Sequence, residues 1–152
     1  MPEIVISDAS CLILLTNIDE LSLLQRLYGA VITTSTVAAE YGMSLPEWVK
    51  LEDAQDAYRQ QLLALQLDAG ESSAIALALE KANCTLILDD GKARRIAEKM
   101  GLQLTGTLGL LLKAKQRGLI SAVKPLLERI RQTNFRLSVE LETQVLKLAG
   151  EL

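Results

Sequence analysis

Two unbroken aliphatic runs, Ile4-Val5-Ile6 and Leu86-Ile87-Leu88, stand out in a chain whose other apolar residues mostly recur at helical spacing. Short aliphatic runs bounded by polar residues predict strands buried on both faces, the signature of a parallel sheet. The first strand is read over Glu3 to Ser7, followed by Asp8-Ala9-Ser10, which suits a helix start. Helical spacing then runs from Cys11 to Tyr28, with a break at Asn17-Ile18-Asp19 that predicts two helical pieces. A second strand is expected at Ala30 to Thr33, then a helix from Thr34 to about Tyr41, stopped by Gly42. Trp48 to Leu51 reads as a short edge strand, Ala54 to Leu67 as a helix, and Ser72 to Lys81 as an alanine-rich helix. The pattern continues with strand Thr85 to Leu88, helix Lys92 to Met100, strand Leu102 to Thr105 and helix Leu108 to Arg117. Two last helices are expected in residues 121–150, joined around Thr133 to Leu137. Strands alternating with helices predict an α/β three-layer sandwich, a central mainly parallel sheet flanked by helices, plus a C-terminal helical pair.

At 152 residues the chain is expected to form one domain, 1–152, with 121–150 as its helical extension. Apolar residues make up 49% and aromatics only 3%, so the core must be aliphatic. A net charge of −3 offers no broad basic field for nucleic acid, though it leaves room for local patches. Cys11 and Cys84 both lie in aliphatic surroundings and are expected as buried, reduced thiols. Neither a membrane-spanning run nor a secretory leader is read, so the expected location is cytoplasmic.

The composition also removes chemistry. There is no histidine, which excludes Ser-His-Asp and Cys-His nucleophiles, imidazole bases and histidine-built zinc sites. What remains is carboxylate chemistry, and acidic residues stand where strands or helices meet loops: Asp8, Glu40, Glu71 and the pair Asp89-Asp90. Asp8 follows the first strand, and the Asp pair follows the strand that begins at Thr85. If these strands are neighbours, their carboxylates share the crevice outside the strand ends where open α/β sheets place their sites. Carboxylates brought together repel, and a hard cation such as Mg²⁺ or Mn²⁺ is the usual resolution. Each acid also has a plain structural reading. Asp8 fits a helix cap, Asp68 with Glu71 has capping-box spacing, one of Asp89 and Asp90 should cap the next helix, and Glu40 alone would be a solvated helix residue.

The segments Val5-Ile6-Ser7-Asp8-Ala9-Ser10, Val37-Ala38-Ala39-Glu40, Asp68 to Ala78 and Leu86 to Arg95 together resemble a PIN domain. Within that family they are most similar to the DUF3368-type branch, with its "GE..AI.LA" helix and "LDD...R..A" strand-turn-helix. Thr105 to Leu111 and Phe135-Arg136-Leu137-Ser138 fit the same branch. The resemblance implies an acidic quartet of Asp8, Glu40, Glu71 and Asp90, with Asp89 the second choice for the fourth position, and supporting hydroxyls on Ser10 and Thr107. It implies a Mg²⁺- or Mn²⁺-dependent endoribonuclease, commonly the toxin of a toxin–antitoxin pair, with RNA as substrate and a small antitoxin protein as partner. An inactive PIN-like module that only holds RNA or protein is the alternative. A receiver-type domain would place its acidic pair after the first strand and a lysine after the last. An aspartyl phosphatase would need Asp where Ser10 stands.

Gripping RNA requires cations. Lys92, Arg94 and Arg95 open the helix after Asp90 and are candidates for phosphate contact, while Lys113, Lys115 and Arg117 read first as the solvent face of an amphipathic helix. Five aromatic residues in the whole chain make base stacking a weak source of specificity. The apolar residues of the tail, among them Leu126, Leu127, Ile130, Val145 and Leu146, either pack on the domain or form a surface for homodimerisation or for an antitoxin helix.

Overall fold

The computed structural model describes residues 3–152. Its sheet has five strands, β1 (Ile4–Ser7), β2 (Val31–Thr33), β3 (Val49–Leu51), β4 (Cys84–Ile87) and β5 (Gln103–Thr105). All four pairings are parallel, in the order β3-β2-β1-β4-β5. The chain therefore starts in the middle, builds outward to one edge, returns to the centre and builds to the other. That reversal lies between β1 and β4, where Ser7 pairs with Ile87 and the Asp8 N–H continues the ladder to the Ile87 carbonyl at 3.1 Å.

The connecting helices are α1 (Ala9–Asn17), α2 (Ser22–Tyr28), α3 (Ser35–Tyr41), α4 (Ala57–Leu63), α5 (Ala69–Leu79), α6 (Gly91–Lys99) and α7 (Thr107–Gln116), followed by α8 (Lys124–Arg131) and α9 (Val139–Leu148). Strand side chains alternate between two cores, as strand geometry requires. Val5, Val31 and Ile87 pack with apolar residues of α1, α2, α3, α7, α8 and α9. Ile6, Leu86 and Leu88 pack with Leu63 of α4 and the aliphatic faces of α5 and α6. This is the α/β sandwich the sequence predicts. The break between α1 and α2 falls at Asp19, which takes a left-handed φ of 60°. Gly42 ends α3 at φ 77°.

Two helices differ from expectation. The reading of Ala54 to Leu67 contracts to α4, because the Glu80 carboxylate accepts from the backbone N–H groups of Gln55 and Asp56 at 3.0 Å and holds that segment outside the helix. Asp56 then caps α4 through the Arg59 N–H. Conversely, α5 begins at Ala69 rather than Ser72. Asp68 accepts from the Glu71 N–H at 2.8 Å and the Glu71 side chain reaches back to the Asp68 N–H, a capping box that starts the helix one turn earlier.

The tail packs on the sheet's α1 side. Leu126, Leu127, Ile130, Val145 and Leu146 are buried in that core, while Val139 and Leu148 face outward. Glu151 ties the end of the chain down. It pairs with Lys115 of α7 at 2.9 Å and accepts from the N–H groups of Val123 and Lys124, supplying the start of α8 with the acceptor its own cap residue lacks. No helix among the described residues is long and apolar enough to cross a membrane. Leu127→Ala removes a fully buried side chain of the tail and is expected to lose roughly 2–5 kcal/mol in urea unfolding. A loss well under 1 kcal/mol, or a separate early transition, would mean the tail folds apart from the sheet.

Candidate functional site

Because every sheet connection is a parallel crossover, helices begin at the same edge of the sheet where the strands end. Several of those helix starts carry an acid as cap. Asp8 caps α1 by accepting from the Cys11 N–H at 3.0 Å, Asp68 caps α5, and Asp90 caps α6 by accepting from the Ala93 N–H at 2.9 Å. Asp89 acts across the crevice instead. Its two oxygens accept from the Thr107 N–H at 2.8 Å and the Thr107 hydroxyl at 2.6 Å, so it caps α7, whose own N-cap residue is Gly106. The capping readings of Asp8, Asp68 and one Asp of the pair are thus correct as geometry. They also explain how the acids come together: positive helix ends at one sheet edge partly offset the repulsion among them.

A crevice of about 150 Å³ opens at this edge, lined by Asp8, Ser10, Glu40, Asp68 and Glu71 with Ala9 and Ile13. Glu40 reaches it from α3. Its carboxylate lies so close to Gly70 that a methyl group there would stand 2.5 Å from Oε2 and 2.7 Å from Oε1, and the Gly70 N–H stabilises its charge. The facing of α3 and α5 is fixed by buried hydroxyls. Thr34 accepts from the Val37 N–H, Ser73 donates to the Gly70 carbonyl, and the two hydroxyls bond each other at 2.6 Å. Asp89 and Asp90 do not line this crevice, but their charges act on it, Asp89 on Asp8 and Asp90 on Glu71.

The electrostatics follow. Burial, then the charge of Asp89, pushes the Asp8 carboxyl from the ordinary 3.8 up to about 8, although the Cys11 and Asp89 N–H groups act the other way. Glu71 rises from 4.5 to about 7 through burial and then the charges of Asp68 and Asp90. Glu40 is also raised, by burial first and then by Asp68. At neutral pH the edge is short of positive charge. Among the described residues, no three His, Cys, Asp or Glu side chains form a ready-made group of metal ligands.

The family model described as DUF3368, a PIN domain, matches residues 4–151. The chain belongs to the PIN-domain family. No curated protein matches it. PIN domains are in general nucleases, so this chain's function is of the nuclease type.

Several candidate residues of this PIN domain gather at the edge: Asp8, Glu40, Glu71 and Ser10 line the crevice, and Asp89, Asp90 and Thr107 stand beside it. The cations do not line it. Arg94 donates to the Leu88 carbonyl at 2.7 Å, close under Gly106, while Lys92 and Arg95 are exposed on α6. The second basic cluster is tied internally, with Lys113 over the Tyr28 ring, Lys115 on the Ala149 carbonyl and Glu151, and Arg117 on the Leu27 carbonyl. Sequence reasoning took Asp68 only as a cap, yet it lines the crevice and raises both Glu40 and Glu71. Gly70 carries no role in the sequence reading; the signal that could have found it is a glycine beside a capping-box start with no turn to make. Cys11 and Cys84 are free and buried, as expected.

Raised carboxyl pKa values favour the fold when protonated, so their contribution is present at low pH and is lost as pH rises through the folded values. With no histidine to titrate between, the metal-free protein should lose thermal stability from pH 5 through about 8, the window set by Glu71 and Asp8. Asp8→Asn should flatten that slope; an equal slope in the variant would place the titrating groups elsewhere. Gly70→Ala should gain none of the up to ~1 kcal/mol that alanine usually brings to a helix, because the new methyl displaces Glu40. A normal gain in urea unfolding would show that Glu40 moves aside freely.

Proposed function

We propose that this PIN domain is a divalent-metal-dependent endoribonuclease. The observation that carries the reading is the crevice at the strand reversal, where burial first, and then the charges of Asp89, Asp68 and Asp90, raise the Asp8 carboxyl to about 8 and Glu71 to about 7. Groups held in this way are poised for a cation, and perturbed carboxyls in a cleft at a topological switch point mark functional sites. The donor set supports Mg²⁺ or Mn²⁺, since every acid present offers hard oxygen and neither histidine nor an accessible thiolate competes. Asp8, Glu40, Glu71 and Asp90 are the residues that would hold it. Asp89 has a different task, because both its oxygens are engaged by Thr107; it orients the start of α7 and that hydroxyl.

When bound, the cation would lower the pKa of a water and shield phosphate charge, as in metal-assisted phosphodiester hydrolysis. The protein's own part is positional. Capping α1 and α6 fixes Asp8 and Asp90 just beyond the neighbouring strands β1 and β4, and Gly70 with the Thr34–Ser73 pair lets Glu40 reach the crevice that Asp8 lines. Ser10, exposed at the mouth, would hydrogen-bond a phosphate oxygen or its water. Lys92 and Arg95, exposed on the helix that Asp90 caps, would meet the backbone of a bound strand. RNA as the substrate, and a role as the toxin of a toxin–antitoxin pair with a small protein antitoxin, rest on the family resemblance. Self-association and an intracellular site of action are proposed beside it, on grounds other than the resemblance.

The test is cleavage of a mixed RNA pool by the purified protein with Mn²⁺, beside Asp8→Asn and an EDTA control. Wild type should cut, EDTA should abolish cutting, and Asp8→Asn should lose roughly 100-fold or more, since even outer partners of metal ligands are worth 10–100-fold. Equal cleavage by wild type and Asp8→Asn would sink the proposal. If nothing is cut, calorimetric Mn²⁺ binding distinguishes an intact site with a narrow substrate range from a binding module.

A further inference from the structure

A second cleft, of about 220 Å³, continues from the acidic crevice and shares Ser10 and Ile13 with it. It runs along α1 to Asn17 and is closed on the far side by residues 133–135 of the loop between α8 and α9. Ile13 and Leu14 give it an apolar lining, Asn17 and Asn134 are exposed amides, and Phe135, the chain's one phenylalanine, is half-buried beside them. No charged residue lines it. The loop is held in place by its own turn, in which Thr133 donates to the Ile130 carbonyl at 2.6 Å and accepts from the Phe135 N–H at 3.2 Å.

An acidic crevice suited to a phosphate held with a cation, opening into a neutral cleft lined by one aromatic side chain that also packs on the core, repeats the order of parts in a nucleotide. The volume is below the roughly 300–1,000 Å³ of pockets for drug-sized ligands and suits a single flat ring system. From Ser10 to Asn17 the cleft spans about 10 Å of helix, at 1.5 Å per residue. Stacking on an aromatic ring and hydrogen bonding of base edges by side-chain amides are how proteins read unpaired RNA bases. We propose that this cleft seats the base of a nucleotide adjoining the scissile phosphate, with Phe135 as its stacking face and Asn17 and Asn134 at its edge. The inference rests on the crevice being the phosphodiester-cleaving site, and it makes the α8–α9 loop part of substrate recognition. Selectivity then comes from one stacked base, which answers the scarcity of aromatic residues in the chain.

The test separates the cleft from hydrolysis by using neutral nucleosides, which carry no phosphate and need no metal. Chelator-treated protein is titrated with adenosine, cytidine, guanosine and uridine while backbone amide ¹H–¹⁵N shifts are followed. Millimolar binding is expected, with shifts centred on Ser10, Ile13, Asn17 and Phe135 and one nucleoside preferred. Phe135→Leu keeps the apolar packing and should weaken binding roughly 5- to 100-fold. Asn17→Ala and Asn134→Ala, at exposed positions, should narrow the preference among the four and, in the RNA assay, relax the base found beside the cut. No shifts in the cleft, or shifts and cut-site preference that all three variants leave unchanged, would overturn the proposal even where wild type cleaves RNA. Nucleoside binding at Phe135 in a protein that neither cleaves RNA nor binds Mn²⁺ would uphold the cleft and remove the hydrolytic reading instead.

Discussion

The parallel pairing of β1 with β4 is the constraint from which the rest of the site follows. Register places Ser7 beside Ile87, so the residues after them, Asp8 on one side and Leu88-Asp89-Asp90 on the other, leave the sheet together. Each crossover then starts its helix at this edge, and each helix start demands an acceptor for its unpaired N–H groups. Acidic caps answer that demand. Asp8, Asp68 and Asp90 thus gather at one edge of a parallel sheet as caps of three helices, and Glu40 joins the crevice from the last turn of α3.

Capping does not by itself make the site. Asp56 caps α4 and Ser138 caps α9 with comparable geometry, yet both lie exposed and away from the strand reversal. What sets Asp8 and Glu71 apart is partial or complete burial among like charges, so that a hydrogen bond to a helix end leaves part of the charge unanswered. Close approach is the other ingredient. Gly70 admits Glu40 to the start of α5, and Gly106 admits Asp89 and Arg94 to the start of α7, where a methyl would stand 3.0 Å from Asp89 Oδ1. Both glycines have side-chain contacts to avoid, and neither is there to make a turn.

The basic residues show how far composition misleads about surface function. Lys113, Lys115 and Arg117 look like a solvated cationic face, but each closes a contact that holds α7 to α2, to the Tyr28 ring or to the end of the chain. Arg94, which reads as a phosphate contact, donates to the Leu88 carbonyl and supports the turn that carries Asp89. A long cationic side chain finds a carbonyl wherever a helix or strand ends nearby, and sequence spacing does not record that proximity.

The sequence alone determined most of the architecture. Its aliphatic runs, helical spacing, Gly42 and the break at Asn17-Ile18-Asp19 are local signals, written within a few residues of the element they specify. It also singled out most of the acids, because caps and strand ends have local signatures too, and the absence of histidine narrowed their chemistry. The start of α5 was misread by three residues and α4 by several more, since Asp68 competes locally but Glu80 reaches across the fold to Gln55 and Asp56. Only the tertiary structure decided that Asp68 faces Glu40, that Gly70 makes room for it, that Asp89 and Asp90 have different tasks, and that Phe135 stands beside Ser10. Those facts depend on residues tens or more than a hundred positions apart being brought to one sheet edge, and no local pattern encodes the distance between them.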